Sequence, residues 1–219
     1  MTSLSCYVET FPALEKYQHC RAVFLAKQPD IDFRKERDEA FRSLRQSHIQ
    51  TLRQLGFGEF PTAEAEQVHG NHIAVVIEAS SGPYAGADAL ITSLRNVPLK
   101  IFVADCAAVY LVDRKNRAIG LVHSGRKGTE LQIVPATIRA LQENFQVLPS
   151  DLVLQISPCI RPPHYEVDFA TAIAHQALAA GVTEITDCGI CTACHSARYY
   201  SYRMEKGKTG RMVAILSLV

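Results

Sequence analysis

Three side chains far apart in the chain, His69, Cys106 and His123, carry donor atoms that bind transition metals. Two imidazole nitrogens and one thiolate leave a fourth tetrahedral position open, as in catalytic zinc sites, whereas closely spaced ligand pairs mark structural ones. Zinc in such a site lowers the pKa of a bound water to about 7, or polarises a bound group. Asp105, beside Cys106, is placed to orient a ligand or move a proton. The same residues fit a second chemistry, with Cys106 as nucleophile and His123 as its base. Both readings need the thiol and the imidazole side by side.

The stretch that must bring them together is residues 100–128, KIFVADCAAVYLVDRKNRAIGLVHSGRKG. Its β-branched, apolar runs predict one strand around Asp105-Cys106 and another ending at His123. A hairpin across Asp113–Arg117 is the natural connection. An aspartate inside such a run demands a partner, because burying a lone carboxylate is costly. His123 also opens the pattern H-x-G-x-x-G, in which Gly125 and Gly128 permit positive φ and close backbone approach. A helix over Thr129–Phe145 is expected next, with Pro135 tolerated near its first turn. Strand, loop and helix N-terminus together suit an anion, and Arg126 and Lys127 add charge. A tight turn carrying two surface cations accounts for the pattern equally well.

The rest of the chain reads as the frame. Strands are expected near Ser5–Val8 and Ala22–Leu25. Phe33, Ala40, Leu44, Ile49, Leu52 and Leu55 recur at helical spacing, so Pro29–Gln54 is expected to be an amphipathic helix with a solvated arginine face. Gln67-Val68-His69-Gly70-Asn71-His72 precedes a strand at Ile73–Ile77, and 82–86 is a turn region. Asp88 lies in a short strand, Ala87–Thr92, and reads as a turn cap or a buried acceptor, the cap being favoured. A further strand is expected at Asp151–Ile156. A proline-rich loop follows, and then a packed helix that starts at Asp168, runs to Ala180 and stops at Gly181. Tyr199–Val219 reads as a hairpin turning at Glu205–Gly210. With no internal repeat or linker, one domain is the simplest account.

Cys191-x-x-Cys194-His195, with Cys188 just before it, has the spacing of a haem-attachment site and of a metal knuckle. The first needs export, and the second needs another ligand pair nearby. Loop thiols of structural role are the expectation. Seven cysteines, an odd number, argue for free thiols or ligands over a disulfide framework. The chain has 219 residues, 47% hydrophobic and 21% charged, with net charge +1. That is long enough for a sizeable core and lacks the basic footprint of a nucleic-acid binder. No apolar run reaches the roughly 18 residues of a membrane span, and the first residues do not read as a signal peptide, so the cytoplasm is expected.

Taken in order, the motifs resemble the laccase-domain family, also called the polyphenol-oxidase or peptidoglycan-editing-factor family. The residues that carry the resemblance are Gln67-Val-His69-Gly70, Ala87-Asp-Ala-Leu-Ile-Thr92, Ala104-Asp105-Cys106 and His123-Ser-Gly-Arg-Lys-Gly128. Ser157-Pro-Cys159-Ile160, Tyr165-Glu166-Val167, Cys191-Thr192, Tyr200-Ser-Tyr-Arg203 and Thr209-Gly-Arg211 continue it over residues 60–219. The resemblance implies a single α/β (α+β) domain of mixed β-sheets flanked by helices, with zinc held by His69, Cys106 and His123. Asp105, Cys106 and His123 would be catalytic. The implied reaction is phosphorolysis of adenosine, inosine or methylthioadenosine to free base and a ribose 1-phosphate, together with deamination of adenosine. The partners would be a small nucleoside and phosphate. Phosphate would sit at the Gly125–Gly128 loop with Lys127, Arg203 or Arg211, and Gln67 falls on the substrate side. This chain has Arg126-Lys127 where the family usually has Trp-Arg, which bears on substrate preference more than on metal binding. A copper-dependent phenol oxidase, a muropeptide-editing hydrolase and a non-enzymatic metal-binding protein are other readings of the same site, and the sequence leaves the oligomeric state open.

Overall fold

The computed structural model describes residues 7–28, 31–33, 37–57, 61–78 and 83–219. Its strands are β1 (Val8–Glu9), β2 (Cys20–Leu25), β3 (Ala63–Glu64), β4 (His72–Val75), β5 (Ala87–Thr92), β6 (Leu99–Val103), β7 (Ala107–Asp113), β8 (Ile119–Ser124), β9 (Leu152–Ile156), β10 (Glu184–Asp187) and β11 (Met212–Leu218). The helices are α1 (Pro12–Glu15), α2 (Arg37–Gln54), α3 (Arg126–Glu130), α4 (Ile133–Phe145) and α5 (Phe169–Ala179). One sheet has the order β1-β2-β11-β6-β3 and the other β10-β9-β7-β8-β5-β4. Both are mixed: β3 runs parallel to β6, β10 to β9 and β4 to β5, while the remaining pairs are antiparallel.

Side chains alternate between the faces of a strand, and here both faces of the central strands are apolar, so each sheet is covered twice. Ala108, Tyr110 and Val112 of β7 meet Ile101, Ala214 and Leu216 of the other sheet in a shared core. Ala107, Val109 and Leu111 point the opposite way, onto Ile138 and Leu141 of α4 and Ile173 of α5. Val213 and Ile215 of β11 and Val23 and Leu25 of β2 pack with Leu52 of α2 and Phe57 on the outer side of the first sheet. The result is helix, sheet, sheet, helix. Fully buried Tyr110 ties the sheets together, its hydroxyl donating to the Val23 carbonyl at 2.9 Å. A buried hydroxyl without a partner costs about 1–3 kcal/mol.

The expected hairpin across Asp113–Arg117 is present as β7 and β8, with Ala108 opposite His123 and Ala107 opposite Ser124. The first strand is otherwise divided. Residues 99–113 read as one apolar run but form β6 in one sheet and β7 in the other, separated by a bend at 104–106. Asp105 makes the bend at φ 83°, a left-handed conformation that Asp tolerates better than bulky residues. Asp105 and Cys106 therefore lie at a crossover between sheets instead of inside a strand.

Three other expectations change, and one strand was not expected. The helix expected from Thr129 begins at Arg126 and breaks at Gln132 (φ 60°), so that Pro135 lies in the first turn of α4. Within the described residues the long amphipathic helix starts at Arg37, and Ile49 is exposed while Ser47, His48 and Thr51 take the buried face. Tyr199–Arg203 forms no strand; β11 pairs with β2 and β6, central in its sheet. β10 had no sequence signal, because its four residues, EITD, carry little apolar patterning. Strand β9 and helix α5 lie where expected, and Asp168 caps α5 by accepting from Thr171 N at 3.0 Å. Ser5, Cys6, Pro29 and Gly82, which entered the expected elements, fall outside the described residues. No described helix is long and apolar enough to cross a membrane.

Candidate metal centre

The β7–β8 register brings the thiol and the imidazole together. Extended by one pair beyond Ala107–Ser124, it sets Cys106 opposite Gly125, which follows β8 directly and lies two residues beyond His123. A β-carbon on Gly125 would stand 2.4 Å from Cys106 Sγ. Glycine is required here for room alone: the backbone of Gly125 is extended at φ −102° and ψ −163°. At Gly128 a β-carbon meets nothing nearer than 3.5 Å. The two glycines of the motif thus serve different ends, and neither needs positive φ.

His69 completes the cluster from the loop before β4, not from a strand. Gln67 (φ 64°) and His69 (φ 59°) are both left-handed, a conformation that must be held by its surroundings. Asp88 holds it. This fully buried carboxylate accepts from the backbone N–H of Val68 (3.1 Å), His69 (2.9 Å) and Gly70 (2.7 Å). It also pairs with His123 Nδ1 at 2.8 Å. Of the two readings of Asp88 the favoured turn cap gives way to the buried acceptor, and one side chain fixes two of the three candidate ligands. The sequence signal was only an acid inside an apolar strand. Its partners lie 18–35 residues away, where no local pattern reports them.

The ligand atoms of His69, Cys106 and His123 all lie within 4.8 Å of one another, the one such group of three among the described residues. The His69 and His123 rings stand edge to face at 4.8 Å. Burial would push the Cys106 thiol up, but hydrogen bonds to His123 and His69, with their charges, outweigh it and bring it to about 6. Burial would push His123 down, and the Asp88 and Cys106 partners reverse this, raising it to about 9. Asp88 is held below its ordinary value: its burial is offset by His123 and by the Gly70 and His69 N–H groups. These residues fit a metal. The thiol sits where it ionises readily, and the Asp88 contact at Nδ1 leaves Nε2 of His123 as the donor, the usual outer support of a metal-bound histidine. Two imidazoles and a thiolate suit zinc or copper.

The other predicted residues surround this cluster in different ways. Asp105 is buried, and its carboxylate accepts from Thr192 Oγ1 (2.7 Å) and Arg203 N (2.8 Å), so it pins two loops beside Cys106. Thr192 was visible only as part of Cys191-Thr192. Gln67 sits on the ligand loop, but its amide both donates to and accepts from the Phe102 backbone, at 2.6 and 2.7 Å. Lys127 is exposed in the first turn of α3. That helix has five residues, so positive charge at the loop comes from side chains more than from a macrodipole. The Arg203 guanidinium lies 4.8 Å from the Tyr165 ring centroid and pairs with Glu166 at 3.0 Å. Arg126 approaches the same Glu166 at 3.8 Å. Arg211 is half-buried, donates to the Gly210 carbonyl at 2.9 Å, and is lowered by burial and then by the Arg37 charge.

Comparison with known proteins places the chain in a family. The chain is 30% identical over 191 residues to purine nucleoside phosphorylase YlmD of Geobacillus stearothermophilus, covering 69% of this chain and 70% of the relative. It is also 30% identical over 209 residues to a purine nucleoside phosphorylase of Deinococcus radiodurans, covering 84% and 80%. The crystal structure of YlmD from G. stearothermophilus superposes with a TM-score of 0.81 at 25% identity, over 95% of this chain and 94% of that one. The structure of hypothetical protein YfiH of Bacillus licheniformis has the same fold, with a TM-score of 0.82 at 21% identity, over 100% and 98%. The sequence profile of the family described as multi-copper polyphenol oxidoreductase laccase matches residues 30–172 and 167–219, and the chain belongs to that family.

Proposed function

We propose that this protein is a zinc-dependent purine nucleoside phosphorylase that also deaminates adenosine. The observation that carries the reading is the His69, Cys106, His123 group with both histidines positioned by Asp88. Relatives named purine nucleoside phosphorylase support the reaction class. Bound zinc would supply a Lewis acid, held by Nε2 of His123, the Cys106 thiolate and a His69 nitrogen.

In phosphorolysis a phosphate oxygen forms the new bond to C1′ of the ribose while the C1′–N9 bond breaks, and the purine leaves with the bonding electrons. This chain has two tasks there: to hold the phosphate and to keep the centre rigid. Lys127 and Arg203 are the cations that receive the phosphate. Arg203 would exchange Glu166 for it, since that ion pair is exposed on both sides. Asp105 acts as a positioning residue, fixing the Arg203 backbone beside Cys106. Gln67 contributes through the loop that it clamps to Phe102, and Arg211 supports the loop before β11. Adenosine deamination at the same centre would replace the exocyclic amine by a water oxygen and release ammonia.

Metal content by mass spectrometry, wild type beside Cys106→Ala, tests the reading, with adenosine and phosphate turnover followed by chromatography. The expected result is about one zinc per chain, lost in the variant together with ribose 1-phosphate and inosine formation. Retained turnover in metal-free protein overturns it. Oxygen uptake on a phenol in proportion to bound copper would assign the site to oxidase chemistry instead.

A further inference from the structure

The turn that follows His123 must be held from outside itself. Helix α3 has five residues, and isolated helices shorter than about 12–15 residues are marginal in water. Its N-cap is Gly125, which has no side chain to accept from the first free N–H groups. Buried Thr129 ties the turn shut. Its N–H and its Oγ1 both donate to the Gly125 carbonyl, at 2.9 and 2.8 Å. The hydroxyl carries one proton, so the 2.9 Å contact between Ser124 Oγ and Thr129 Oγ1 is donated by the serine, which is fully buried. The far end of α3 is held by its neighbours. Gln176 of α5 donates to the Thr129 carbonyl at 3.0 Å, and Asn71, on the loop that carries His69, donates to the Leu131 carbonyl at 3.3 Å.

We propose that Thr129 is a positioning residue for the candidate metal centre: its hydroxyl anchors the Gly125 peptide against Cys106 and so fixes the thiolate ligand. Gly125 is the wall beside the Cys106 sulfur, so close that a β-carbon there would stand 2.4 Å from it. The carbonyl of that wall accepts twice from one residue, and the hydroxyl that makes the second bond is itself held by Ser124. Metal-site distances tolerate only about 0.2 Å, so slack in the Gly125 peptide reaches the ligand directly. The same turn carries Lys127, between the two residues that the hydroxyl joins. Thr129 therefore also sets where Lys127 meets the phosphate; that second role rests on the phosphorylase reading, and the first does not.

Three variants at one position test this. Thr129→Val sets a methyl where the hydroxyl stood, 2.8 Å from the Gly125 carbonyl oxygen, and Thr129→Ala leaves a gap. A loss shared by both therefore belongs to the hydroxyl and not to packing, and either variant serves if the other does not fold. Thr129→Ser keeps the hydroxyl. Zinc affinity, read by competition with a chromophoric chelator, is expected to fall about 10-fold or more in the valine and alanine variants and to return to the wild-type value in the serine variant. Urea unfolding of metal-free protein is followed beside it. Wild-type zinc affinity in the valine and alanine variants, even with lowered stability, reduces Thr129 to a support of the fold and overturns the proposal, as does a loss that serine does not restore. At saturating zinc, the KM for phosphate should rise in the valine and alanine variants while the KM for adenosine stays unchanged; an unchanged KM for phosphate overturns the role exerted through Lys127. Absence of turnover in the wild type counts against the phosphorylase reading, and the zinc measurement then still decides the role of Thr129 at the metal centre.

Discussion

Replacing Gly125 by alanine separates the metal centre from the fold. The added β-carbon would lie 2.4 Å from Cys106 Sγ and 3.5 Å from Cys106 Cβ. Non-bonded atoms settle at about 3.5–4 Å, so the sulfur must retreat by roughly 1 Å or more. Metal-site distances tolerate only about 0.2 Å, and one of three ligands is therefore displaced. The backbone does not resist, since alanine adopts the extended conformation of Gly125 freely. Losing glycine favours the fold by about 0.4–1 kcal/mol through the unfolded chain, while overpacking costs about 1–3 kcal/mol. Stability of the metal-free protein should fall by no more than about 2–3 kcal/mol. Zinc affinity should fall by more than the roughly 10–100-fold expected when only an outer partner is lost. Competition against a chromophoric chelator reads the affinity, and urea unfolding of metal-free protein reads the fold. Gly128→Ala is the control, because its β-carbon meets only ordinary contacts. Unchanged affinity in Gly125→Ala, or an equal loss in both variants, refutes the steric argument.

Asp88→Asn removes one carboxylate oxygen from four contacts that reach Val68, His69, Gly70 and His123; zinc affinity should fall about 10–100-fold, and a titration matching wild type would show that the ligands position themselves. Thr192→Val leaves the Asp105 carboxylate without its hydroxyl donor, and urea unfolding should register a loss of about 1–3 kcal/mol. His48 is buried on α2, its Nε2 has no partner among the described residues, and burial, then the Lys100 charge, lower it to about 4 from 6.5. Between those values the unfolded chain binds a proton that the folded chain refuses, so stability falls as pH drops from 6.5 towards 4, by up to about 1.4 kcal/mol per unit. In metal-free protein, His48→Leu should remove that slope; parallel stability curves for the two proteins would exclude His48 as its source.

The three candidate ligands were legible because His and Cys are conspicuous at the ends of apolar runs, and the β7–β8 turn announces itself through Asp113–Arg117. Asp88 was not, because its meaning lies in contacts with a loop and a strand far along the chain. The change of sheet at Asp105 was hidden for a related reason. An apolar run buried on both faces keeps the same character on either side of a crossover, so periodicity does not mark where one strand stops. β11 misled differently: a C-terminal strand after a glycine turn suggests a local hairpin, yet its hydrogen bonds go to β2 and β6. Ile49 reads as core by type, but the inner face of α2 is given to Ser47, His48 and Thr51.

The position of β4 has a consequence for how the protein fails. It closes one side of the six-stranded sheet and, among the described residues, pairs only with β5, and its leading loop carries His69. Cys106 and His123 belong to the inner β7–β8 pair. A metal held by these three candidate ligands would therefore clasp the outermost strand to the interior. Without a metal, β4 would keep its pairing with β5 alone, and its departure would bare β5, whose six residues are all buried. A long apolar edge of this kind is a template for pairing with other chains. Demetallated protein should thus be lost to aggregation before it is lost to unfolding.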